Sequence, residues 1–292
     1  MKEFVIVTDA TCDLPADYVK KEGIDVIGMS FTIDLKTYNS DDADCISSAE
    51  FYSRMRAGSM ATTALINPLT AKDACEKHLK QGKDVLYISF SSALSGSYQS
   101  AERAAEELNK QYKNKVYLID SKCASMGEGL LVYYANKYKK AGHSAEETYA
   151  YAEGLKDKIC HYFTVNDLFH LYRGGRVSKG KAMIGTVLNI KPILYTNPEG
   201  KLVPLRNAFG RKKALMGLIS CMQNKIGGNK NEIVFISHGD CLEEAQYVAE
   251  KIKERFGITE FMISTIGPVV GSHSGPDTIA LFFVGDNRFE EV

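Results

Sequence analysis

Four short β-branched runs, at residues 3–9 (EFVIVTD), 24–33 (IDVIGMSFTI), 84–90 (DVLYISF) and 115–120 (KVYLID), are separated by stretches whose apolar residues recur at helical spacing. These stretches cover residues 14–21, 49–56, 68–79, 98–111 and 127–140, and Asn67 followed by Pro68 supplies an N-cap with proline at the first helical position. Strand and helix in alternation predict right-handed crossovers and a mainly parallel sheet with helices on both faces. Beyond a further helix near residues 145–157 the rhythm changes. The pair IKPILYT and KLVPL, joined by NPEG, reads as a hairpin, and strands near 161–165, 232–237, 260–265 and 278–284 complete the second half. A hairpin among crossovers predicts a mixed sheet. The expected class is therefore α/β with two α/β domains, residues 1–159 with a mainly parallel sheet and residues 160–292 with a mixed one, sharing a cleft.

Composition excludes several partners. Lysine plus arginine and aspartate plus glutamate both number 36, so no basic excess is available for nucleic acid or an anionic lipid surface. The longest apolar runs fall far short of a membrane span, so an integral membrane protein is not expected, and the N-terminus meets Asp9 before any signal-peptide cleavage pattern. Seven cysteines without a C-x-x-C pair predict reduced thiols and a cytoplasmic location.

Ligands of open parallel sheets sit beyond the carboxyl ends of strands. Polar clusters fall at such places: TDATCD after the first strand, FSSALSGS after the third, DSKCASMGEG after the fourth and GSHSG before the last. Serine hydroxyls and the free N–H groups of a helix beginning near Ser97 suit the oxygens of an anion. His273 sits between small residues that let backbone approach a ligand. Ser95, an aspartate and His273 also follow the chain order of an α/β hydrolase, although G-x-S-x-G is absent, so a serine hydrolase acting on acyl esters is an open alternative. The near-match to a phosphate loop at residues 175–182 ends in Ala182, which lacks the hydroxyl that would hold magnesium. No H-E-x-x-H, dinucleotide fingerprint or carboxylate-rich loop calls for a metal or cofactor.

Six segments taken together resemble the DegV family, whose members are similar to the FakB fatty-acid-binding subunits of bacterial fatty acid kinase. They are VIVTDATCDLP (5–15), SMATTALINP (59–68), SSALSGSYQSA (91–101), VYLIDSKCASMGEGLLV (116–132), LYRGGRVSKGKAMIGTVLNIKPIL (171–194) and GPVVGSHSGPDT (267–278). The resemblance implies a carrier rather than an enzyme, with no catalytic residue. One acyl chain, such as palmitate, stearate or oleate, would lie in a tunnel between the two domains. By motif, its carboxyl group would meet Thr63, Ser95 and His273, supported by Thr62, Gly96, Ser97 and Gly271. The RGGR segment, with Arg173 and Arg176, would dock an ATP-dependent kinase that forms the acyl phosphate. In a third reading, the protein is a regulatory module and its lipid is only structural. The chain departs from the family pattern at Ala10 and Ala64, and Phe209 stands where an arginine is expected near the head group, with Arg206 and Arg211 beside it.

Overall fold

The computed structural model describes residues 3–178 and 189–288. The helix expected after the RGGR segment, and the end of the phosphate-loop-like string, lie outside the described residues. In chain order the first half gives β1 (Phe4–Asp9), α1 (Ala16–Glu22), β2 (Asp25–Ile27), β3 (Ser30–Ile33), β4 (Lys36–Asn39), α2 (Ser48–Arg56), β5 (Ala61–Thr63) and α3 (Pro68–Leu79). It continues with β6 (Asp84–Ser89), α4 (Ser97–Gln111), β7 (Val116–Asp120), α5 (Met126–Lys140) and α6 (Ala145–Lys156). The second half gives β8 (Ile159–Thr164), α7 (Phe169–Arg173), β9 (Ile190–Thr196), β10 (Leu202–Phe209) and α8 (Arg211–Lys225). It closes with β11 (Val234–His238), α9 (Leu242–Phe256), β12 (Phe261–Thr265), α10 (Pro268–Ser274) and β13 (Ile279–Val284).

The first sheet is wholly parallel, in the order β2-β1-β6-β7. Every residue of β6 is buried, as expected of an inner strand covered on both faces. The second sheet is mixed, in the order β10-β9-β8-β13-β11-β12, with β11 and β12 its parallel pair. The predicted hairpin is present as β9 and β10. Helix α5 contributes to a core shared by both sheets, and Met126 to Val132 are all buried along it. Two glycines allow this close approach: a Cβ at Gly127 would lie 3.0 Å from the Phe282 ring, and one at Gly129 would lie 2.7 Å from the Cys12 carbonyl oxygen.

One expectation is corrected. The run at 24–33 is two strands in two sheets: β2 joins the parallel sheet, while β3 joins a small antiparallel sheet ordered β4-β3-β5. The chain reverses after Ile33 through Asp34 and Leu35, whose φ values of 50° and 62° make a two-residue hairpin turn that pairs Ile33 with Lys36. Strand β5 was not expected, and it carries Thr63 opposite Phe31. This small sheet closes over Phe31, Phe51, Tyr52 and Met55. It is tied to the second sheet by the Tyr52 hydroxyl, which donates to the Ile266 carbonyl at 2.9 Å, and by Arg56, which pairs with Asp240 and Asp277.

Candidate functional site

Three separate elements bring hydroxyls and an imidazole to one place. The loop after β6 presents Ser95, β5 presents Thr63, and α10 presents His273. Thr63 Oγ1 and His273 Nε2 are 2.9 Å apart. Helix α10 lies against α2, because Gly271 has no side chain: a Cβ there would come within 2.5 Å of the Tyr52 hydroxyl. Thr63, Ser95 and His273 line a cavity whose walls are mainly apolar, among them Met29, Phe90, Leu94, Phe163, Leu171 and Val269.

The hydrogen-bond network leaves donors free at the mouth of this cavity. Ser97 Oγ accepts from the Ile66 N–H at 3.1 Å and stands 3.0 Å from Ser95 Oγ, which accepts from the Ser97 N–H at 3.2 Å. With the Ser97 hydroxyl donating to Ser95 Oγ, the Ser95 proton is available to a ligand. Among the described residues the His273 Nδ1 is buried without a partner. Because an orphaned buried N–H is the costlier choice, the proton belongs on Nε2, where it donates to Thr63 Oγ1 and frees the Thr63 hydroxyl proton in turn. Burial, together with the Arg176 guanidinium, holds His273 down at about 4, so the imidazole is neutral near pH 7. His273 therefore stands at the site as a neutral donor.

The cation at the mouth is Arg176. It lines the cavity, its Nε donates to the Leu94 carbonyl at 3.1 Å, and its Nη1 donates to the Gly174 carbonyl. Burial depresses its pKa. Arg173, by contrast, is exposed, donates towards Met60 Sδ and contacts His170, and borders an outer groove shared with Thr62, Arg176 and His273. Gly96 is the exposed N-cap of α4, and Ser97 is buried behind Ser95. Arg206, Phe209 and Arg211 do not line the cavity. Arg206 bonds the Gly217 carbonyl, Arg211 pairs with Glu244, and Phe209 is 67% exposed. Ala10 borders a separate surface cleft, and Ala64 is exposed with its N–H donating to the Ser30 carbonyl.

A hydrolase triad is not assembled. Among the described residues Ser95 bonds Ser97 rather than His273, and His273 bonds no carboxylate. Nor do these residues include a group of three or more histidines, cysteines or acids that could hold a metal ion.

Sequence reasoning missed the acids behind the cavity wall. Thr11 Oγ1 touches both Asp9 Oδ1 and Glu128 Oε2, and Thr8 Oγ1 donates to Glu128 Oε1 at 2.8 Å. One hydroxyl proton cannot serve two carboxylates, so this buried pair holds a proton between them, and burial raises the pKa of both. Asp13 accepts from the Gly267 N–H at 2.8 Å and from Ser125 Oγ, which joins the first strand's loop to the start of α10. Burial raises the Asp13 carboxyl to about 8. Only "TDATCD" and "GEG" hinted at these groups, and nothing in their spacing indicates that they meet.

Comparison with known proteins follows from this geometry. A family model described as an uncharacterised protein of the DegV family matches residues 3–286. A DegV domain-containing protein of Clostridium perfringens is 43% identical over 289 residues, spanning 99% of both chains. Among solved structures, a DegV family protein from Thermus thermophilus, described as fatty acid binding, superposes with a TM-score of 0.86 at 27% identity, covering 98% of this chain and 100% of that one. A DegV protein from Bacillus subtilis, described as a fatty acid binding protein, gives 0.84 at 26% identity with the same coverage.

Proposed function

Because the chain belongs to the DegV family, we propose that it carries one long-chain fatty acid, with the carboxylate at Thr63, Ser95, His273 and Arg176 and the hydrocarbon in the cavity behind them. The observation that carries this reading is an apolar cavity with free hydroxyl donors and one guanidinium converging at a single end. Relatives described as fatty acid binding, at 26–27% identity over nearly the whole chain, support it. Thr62, Gly96, Ser97 and Gly271 serve as supports, through the strand, cap and close approach described above. The exposed Arg173 beside the mouth suits the docking of a separate ATP-dependent kinase, which would phosphorylate the presented carboxylate. Two lobes divided near residue 159 fit the same reading, since the strands of the mixed sheet begin there. Seven cysteines, none joined in a disulfide among the described residues, fit a reducing compartment such as the cytoplasm.

Head-group contacts orient the ligand and the hydrocarbon supplies most of the affinity. Ser95→Ala and Thr63→Val should each weaken palmitate binding about twofold to thirteenfold, the span of one hydrogen bond worth roughly 0.5–1.5 kcal/mol. Hexadecanol, which lacks the carboxylate, should lose markedly less. Displacement of a fluorescent fatty acid measures both, and equal losses for acid and alcohol would remove the carboxylate from this site. Arg173→Glu should leave the palmitate Kd unchanged and lower acyl-phosphate production when the kinase is added. An unchanged yield would remove Arg173 from the docking surface.

A further inference from the structure

Deep in the cavity wall is a polar atom that the protein leaves unmet. His161 lies on β8 two residues before Phe163, so both side chains point to the same face of the sheet, and both line the cavity. The residue is 4% exposed, and its ring sits against Phe282 and Phe163 with centroids 4.4 Å and 5.5 Å away. Nδ1 is 2.7 Å from Thr196 Oγ1. Nε2 has no partner among the described residues and is not among the sealed-off buried atoms, so it opens on the cavity.

Of the other hydroxyls on this lining, Ser274 Oγ is buried without a partner among the described residues, one residue past His273 at the mouth end, and three more are engaged. Thr11 is held by Asp9 and Glu128, Ser125 by Asp13, and Thr278 by the carbonyls of Ser274 and Gly275. Burial, reinforced by Arg288, keeps the imidazole neutral. Strand β8 runs from His161 towards Thr164 and then to α7 at the mouth. At about 3.3 Å per residue, His161 is therefore roughly 10 Å behind the mouth end of the strand. An acyl carbon that reaches it belongs to the interior or far part of the chain, well away from the carboxylate.

We propose that His161 selects an oxygenated acyl chain: a hydroxyl on the mid-chain or distal part of the ligand hydrogen-bonds Nε2 inside the cavity. This rests on the fatty-acid reading above. A hydroxyl both donates and accepts, so it satisfies the imidazole in whichever tautomer the Thr196 contact selects, whereas a methylene leaves the nitrogen stripped of water with nothing in return.

The test compares stearate with three hydroxystearates, bearing the hydroxyl next to the carboxylate, at mid-chain or at the methyl end, on the wild type, His161→Leu and His161→Gln. The wild type should bind the mid-chain or the terminal hydroxystearate about tenfold more tightly than stearate, and gain nothing from the hydroxyl beside the carboxylate. His161→Leu should abolish or reverse that preference, and His161→Gln should retain part of it. Stearate binding as tightly as every hydroxystearate in the wild type would overturn the inference and leave the carrier reading intact, even if both variants fail to fold. A preference that survives in a folded His161→Leu would also overturn it. Failure of stearate and all three hydroxystearates to bind would overturn both.

Discussion

Replacing Ala280 with phenylalanine is expected to abolish binding of a long acyl chain. Ala280 lies on β13, is 3% exposed, pairs with Phe163 across the sheet and lines the cavity. Its methyl group is one of the smallest side chains on the wall, and a benzyl group there fills space that the hydrocarbon needs. Each buried methylene is worth about 0.8 kcal/mol, so excluding on the order of eight of them removes about 6 kcal/mol, more than a thousandfold in Kd. Overfilling the site carries its own cost of about 1–3 kcal/mol in stability, which thermal unfolding of the variant will register. The milder Ala280→Val keeps the test informative if the larger side chain disturbs the fold: it should shift preference towards shorter chains. Palmitate bound by a folded Ala280→Phe within threefold of wild type would mean that the chain runs elsewhere.

Stability should fall as pH rises from about 7.5 to 8.5, and Asp13→Asn should remove one proton's share of that slope. The Asp13 carboxyl sits at about 8 in the folded protein against an ordinary value of 3.8. Between those values the folded state holds a proton that the unfolded state has released, so raising the pH favours unfolding until about pH 8. Asp9 and Glu128, also raised by burial, act in the same direction. The buried histidines oppose them up to about pH 7.5. His161 and His273 lie at about 3 and about 4 when folded, so around the ordinary 6.5 the unfolded chain holds protons that the folded chain does not. By about pH 7.5 the unfolded imidazoles have lost nearly all of these protons, and above it the acids act alone. Asp13 by itself accounts for about 0.7 kcal/mol between pH 7.5 and 8.5. Denaturant titrations from about pH 7.5 to 8.5 measure the slope. A wild type whose stability is flat or rising there, or an Asp13→Asn variant with an unchanged slope, would contradict the account.

The regular alternation of strand and helix was legible because fully buried parallel strands leave continuous apolar runs, as in DVLYIS, while the helices between them keep a 3.6-residue stripe. The split of residues 24–33 was not legible. Asp34 and Leu35 are poor advertisements for a turn with both φ values positive, and β5 is three residues long. Thr63, Ser95 and His273 were marked in advance by motif, and the structure brings all three to one cavity mouth. Arg176 was assigned to a docking segment because sequence position does not disclose that its guanidinium turns inward to the Leu94 carbonyl. Likewise the guanidinium on the cavity lining is that of Arg176, while Arg206, Phe209 and Arg211 lie outside it. His161 escaped notice as a polar residue inside an apolar strand, whereas Asp9, Asp13 and Glu128 stand in polar clusters whose spacing does not show that they meet. Only the packing of α5 between two sheets shows what these acids face.

The most direct test of the carrier reading is native mass spectrometry of the freshly purified protein, followed by denaturing extraction and identification of what is released. The account predicts one added mass per chain that matches a long-chain fatty acid and is absent from Ala280→Phe. A clean unliganded mass after gentle handling, with no uptake of added palmitate or oleate, would contradict it.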